Sequence, residues 1–101
     1  MKRPVLWSAS AATGFMEHLE FIKKQSPKAS QLVRQRVLDA AASLSPFQIG
    51  RPGRKARTFE LPVSKTSLLL IYRFTEDGKV RILRAVHTSR NFTAETPLTD
   101  D

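Results

Sequence analysis

Residues 50–61 read GRPGRKARTFEL and hold four cations, Arg51, Arg54, Lys55 and Arg57, among two glycines and a proline. Arg73, Arg81 and Arg84 follow, then His87 and Arg90. Guanidinium and ammonium groups gathered on one surface can grip phosphates or acidic side chains. Acid–base cleavage of RNA would need more: a proton acceptor, a proton donor, and cations on the scissile phosphate. His87, an imidazole, is the candidate acceptor, with Arg73 and Arg90 as the candidate phosphate ligands. Tyr72, the single tyrosine, falls in mid-strand and reads as core.

Other chemistries are poorly supplied. There is no cysteine, and His18 and His87 are the two histidines, so neither a disulfide framework nor a metal-ligand spacing is present. No Gly-x-Ser-x-Gly nucleophile elbow occurs. Glu17 and Glu20 fall on the solvated side of a helix, and Glu76 and Asp77 belong to a turn. The net charge of +8, with a pI near 10.7, favours an anionic partner: nucleic acid, an acidic protein or a membrane surface. A chain of 101 residues is one domain by default. No apolar run approaches the roughly 20 residues of a membrane span. The opening MKRPVLWSAS is too short in apolar residues for a signal peptide, so the protein reads as cytoplasmic.

These cations need elements to hold them. KRPVLWS reads as a short strand, with Val5 and Trp7 facing one way and Leu6 the other. A helix is predicted from Ser8 to Lys24, its apolar stripe formed by Ala12, Phe15, Met16, Leu19 and Ile22. Ser8 or Ser10 would cap it. Gly14 costs about 1 kcal/mol inside such a helix. Phe21 lies nearly opposite the stripe. Ser26 and Pro27 start a second helix that runs to Leu44, with Ala29, Val33, Val37, Ala40 and Leu44 inward and Leu38 on its outer face. SPFQIGRPGRKA reads as a loop. RTFELPV alternates, SLLLIYRF is apolar on both faces, and VRILRAVH is the last strand. The loop Thr75 to Lys79 joins the last two as a hairpin. The predicted fold is α+β in two layers, ordered β-α-α-β-β-β, with a helical hairpin on a small, mainly antiparallel sheet.

The ordered set VLWS, GRPGR, TFELPV, IYRF and RILRAVHTSRNF resembles the RelE/ParE superfamily, the toxins of bacterial type II toxin–antitoxin pairs. The resemblance runs from Pro4 to Phe92 and implies one toxin domain over residues 1–92, with an acidic tail over 93–101. RelE-like members are ribosome-dependent ribonucleases that cut messenger RNA. ParE-like members poison DNA gyrase. The arginine that RelE-like nucleases place before the apolar–Tyr pair is Leu69 here, and their C-terminal catalytic aromatic is Phe92, which has no hydroxyl. His87 and Arg90 match the His-x-x-Arg pattern of ParE-like members. Where many relatives carry an arginine between Thr58 and Glu60, this chain has Phe59.

The ParE-like resemblance implies a binding protein with no catalytic residues, metal or cofactor. Its target would be DNA gyrase, its partner a ParD-like antitoxin, and its biological role plasmid stabilization. The residues implied at the target are Arg51, Arg54, Lys55, Arg57, Arg73, Arg84, His87, Arg90 and Phe92. Those implied at the antitoxin are Phe21, Arg34 and Leu38, an exposed surface suited to an amphipathic helix. Two alternatives stand beside this reading. One is a RelE-like ribonuclease using His87, Arg73 and Arg90, and the other is a basic nucleic-acid-binding module.

Overall fold

A computed structural model describes residues 3–45, 51–53 and 57–87. The elements are β1 (Val5–Trp7), α1 (Ala9–Gln25), α2 (Pro27–Ser43), β2 (Arg51–Pro52), β3 (Phe59–Pro62), β4 (Leu68–Phe74) and β5 (Val80–His87). They form one sheet in the order β1-β5-β4-β3-β2, antiparallel except where β1 runs parallel to β5. The helical hairpin covers one face, so the predicted two-layer α+β fold is the observed one. The difference is β2: the predicted loop contributes two residues that pair with Phe59 and Glu60. Pairing satisfies backbone groups that an unstructured loop would leave to water.

The main core lies between helices and sheet. Phe15, Leu19, Val37 and Leu44 meet Leu68, Leu70, Tyr72, Val80 and Ile82. Trp7 stacks on Phe15, and Phe59 packs against both Tyr72 and Phe74. Phe59, at the position where an arginine was expected in relatives, is therefore part of the core. Because side chains alternate along a strand, Leu69, Ile71 and Val86 form a second, smaller cluster on the face away from the helices.

The inward face of α1 is turned from its predicted position. Ala11, Phe15 and Leu19 are buried, whereas Ala12 is exposed and Met16 is 58% exposed. Two anchors set this rotation. Ser8 caps the helix, accepting from the Ala11 amide at 3.0 Å, and its hydroxyl donates to the Leu83 carbonyl at 2.9 Å. Gly14 sits so near β5 that a Cβ there would lie 3.2 Å from the Ala85 carbonyl. The glycine thus offsets its helix cost by close approach of helix to sheet. In α2 the inward residues include Ser30, whose hydroxyl donates to the Leu19 carbonyl at 2.9 Å and ties the two helices together. Leu38 packs against the core, contrary to the outer-face expectation, because its side chain lies on the flank of the Val37–Ala41 stripe.

β4 and β5 close around the predicted Thr75–Lys79 loop, where the Thr75 amide donates to the Lys79 carbonyl at 2.8 Å. Gly78 takes φ +80°, the left-handed conformation such a turn requires. Pairing runs in step from Phe74↔Val80 to Tyr72↔Ile82, then shifts to Ile71↔Arg84. Leu83 is the extra residue of a β-bulge.

Ser8→Ala removes a cap and leaves the buried Leu83 carbonyl without its hydroxyl donor. Together these cost about 2 kcal/mol, read as a lower denaturant midpoint with an unchanged slope. A second expectation concerns acid. Asp77 is held below the usual carboxylate range, first by the Thr75 hydroxyl and then by Lys79. Its contribution to stability is therefore complete above about pH 4 and is lost as pH falls through its lower folded value. The group is solvated, so the effect is small. Asp77→Asn should flatten the acid limb of a midpoint-against-pH curve.

Candidate functional site

The cation-rich stretch falls between β2 and β3, which pair with each other. The Gly53 amide donates to the Thr58 carbonyl at 2.7 Å. Gly53 is required there: a Cβ would collide with the Thr58 side chain and backbone. Arg57 is exposed and adopts φ +62°, a strained conformation for a residue with a side chain. Arg51 enters the sheet as the Cα partner of Glu60. Arg54, Lys55, Arg90 and Phe92, together with the tail 93–101, lie outside the described residues.

Register decides which of the remaining cations meet. Arg73 and Arg81 are direct Cα partners across β4 and β5. Tyr72 faces the helices, so Arg73 faces away from them, and Arg81 with it. Arg84 pairs with Ile71, which belongs to the smaller cluster on that same helix-free face. Without the bulge Arg84 would stand opposite Leu70, on the core side. With it, Arg84 returns to the face of Arg81. Glu60, buried at 3% exposure, is the Cα partner of Ile71 on the other side, which places a carboxylate in the same row as Arg84. Leu6, the partner of Arg81 on β1, extends this face and is 40% exposed. Sequence reasoning did not count Arg81 among the target residues. Counting outward from the Thr75–Lys79 loop would have found it opposite Arg73.

His87 goes elsewhere. Its ring meets that of His18 on α1 at 5.5 Å between centroids, edge to face, which places it on the helix side of the sheet. Its ladder partner is Leu68, five positions before Arg73 on β4. The two groups are therefore separated by roughly 17 Å along the strand as well as by the sheet itself. The structure does not bring His87 and Arg73 into one acid–base constellation. Tyr72 is fully buried.

The residues expected at a partner are also placed. Phe21 is 62% exposed on α1, and Arg34 is exposed on α2. Leu38 is half-buried, whereas Leu32, unremarked in the sequence, is 50% exposed. A shallow depression between α2 and the β3–β4 turn is lined by Arg36, Asp39, Ser43, Pro62 and Lys65. Arg36 there donates to the Lys65 carbonyl at 3.3 Å, and Gln35 donates to Asp39 at 2.8 Å, both structural uses. Among the described residues no group of three potential metal ligands occurs, and no helix is long and apolar enough to cross a membrane.

Comparison with curated proteins gives no significant match. A protein-family model, described as the ParE toxin of type II toxin-antitoxin system, parDE, matches residues 5–92, from the first residue of β1 to five residues beyond β5. With its helical hairpin on a mainly antiparallel sheet and this match over most of its length, the chain belongs to the ParE toxin family of type II toxin–antitoxin systems.

Proposed function

We propose that this toxin acts in the cytoplasm on DNA gyrase, holding the enzyme in its DNA-cleaved state, and that a ParD-like antitoxin silences it by covering its helical hairpin. The family match over residues 5–92 carries this reading. Two features support it. The acid–base set of a ribonuclease is split, with His87 beside His18 and Arg73 on the opposite face of the sheet. The chain also carries a net charge of +8, and Arg73, Arg81 and Arg84 share the helix-free face of the sheet, which suits a protein that works by binding an acidic surface. Pro52 in the sheet and the Gly53–Thr58 hydrogen bond order the described backbone next to the cations of the 50–61 stretch, and ordered backbone loses less entropy on binding.

The direct test is purified gyrase, ATP and supercoiled plasmid incubated with antitoxin-free protein. Linear, protein-linked DNA should accumulate. Plasmid that stays supercoiled in the presence of excess folded protein would overturn the gyrase reading. For the antitoxin, Phe21→Glu puts a charge on an apolar ring that no core contact needs. The affinity for the antitoxin should fall by at least tenfold, about 1.4 kcal/mol, with the thermal midpoint of the isolated toxin unchanged. Equal affinity would remove Phe21 from the interface.

A further inference from the structure

Three contacts in step trace the seam between α1 and β5. The Ser8 hydroxyl donates to the Leu83 carbonyl, Gly14 lies against the Ala85 carbonyl, and the ring of His18 meets that of His87. One turn of helix beyond Gly14 rises about 6 Å, and two residues of strand beyond Ala85 rise about 7 Å. The third contact therefore follows from the second: the close approach at Gly14 brings His18 level with His87, each on the face turned toward the other element. These are the two histidines of a chain of 101 residues, and both are half-buried.

Packing alone gives no reason for imidazole at both positions. A phenyl ring fills the same space edge to face and brings no ring nitrogen to satisfy. What two imidazoles add is a pair of metal donors. Bound to one tetrahedral zinc ion at about 2.1 Å per nitrogen, two imidazoles hold their ring centres roughly 5 Å apart. The centres of His18 and His87 stand 5.5 Å apart. Each histidine also has a further interaction in the fold. That suits a metal-bound imidazole, whose second nitrogen is ordinarily held by a neighbouring group.

We propose that His18 and His87 form a two-imidazole site for a divalent transition cation, zinc above all, which ties α1 to the end of β5. Two protein donors leave the rest of the tetrahedron to water, so the site is weaker than a structural zinc site with four protein ligands. It selects zinc, nickel or copper over magnesium and calcium, which take oxygen donors. An ion that binds the folded chain alone stabilises it by mass action, so the stability of the toxin becomes linked to the metal supply.

The test needs neither gyrase nor antitoxin. The full chain is melted in zinc chloride, in magnesium chloride and in EDTA. Zinc at about ten times its dissociation constant should raise the thermal midpoint by roughly 5–10 °C, and magnesium should leave it unchanged. His18→Phe and His87→Phe each keep a ring at the seam and remove its nitrogens, and each should abolish the zinc shift. Should either variant fold poorly, the nitrogen-labelled wild type is titrated with zinc instead, and the imidazole nitrogen resonances of both histidines should move together. A wild-type midpoint that ignores zinc overturns the proposal. So does a zinc shift that persists in the folded Phe variants, or a titration that moves one histidine without the other, because the ion would then be held elsewhere.

Discussion

The Ser8 hydroxyl is the point at which the two layers are fixed to each other. It caps α1 and donates to the carbonyl of Leu83, the one residue of β5 that has no ladder partner on β4. The Ser8 amide donates to the neighbouring Ile82 carbonyl at 2.9 Å. A single buried residue thus sets where the helix begins, how it is rotated, and where β5 departs from regular pairing. The rotation brings Gly14 against Ala85, where a Cβ would lie a tight 3.2 Å from the Ala85 carbonyl. The bulge in turn sends Arg84 to the outer face. Helix packing and surface charge are in this way consequences of one local arrangement.

That dependence explains what could be read from the residues and what could not. The last two strands and their loop were legible because alternation and turn chemistry are local. The two helices were legible for the same reason, but the exact inward face of α1 was not: Ala11 and Ala12, or Phe15 and Met16, satisfy an apolar stripe almost equally. The choice is made by β5, some seventy residues away. Ser30 escaped notice because a polar residue at a helix crossing looks like surface until its partner carbonyl is known. β2 escaped because two residues, one of them proline, carry no periodicity.

The candidate site divides along the same line. That cations outnumber acids was legible from composition, and the partnership of Arg73 and Arg81 follows from counting out of the hairpin loop. The sequence VRILRAVH also contained a contradiction that only a bulge resolves: strict alternation from Val80 would place Arg84 among Leu70 and its core neighbours. An arginine falling on a core position is itself a sign that a strand is irregular. His87 shows the opposite case. Its distance from Arg73 depends on faces and register together, and a cluster drawn from sequence proximity merges two surfaces that the sheet keeps apart.

The pairing of β1 with β5 also governs when the fold can exist. Val5 meets Val80, and Ser8 meets Leu83. The contacts that seat α1 thus join residues about seventy-five positions apart, and such closure is slow because chain entropy is lost before the contacts form. On the ribosome the helical hairpin emerges long before its sheet partner. It waits with Phe15, Leu19 and Val37 exposed until β5 has been made. Among the described strands β5 is the last in the chain, so the seat of α1 is complete only once that strand is present.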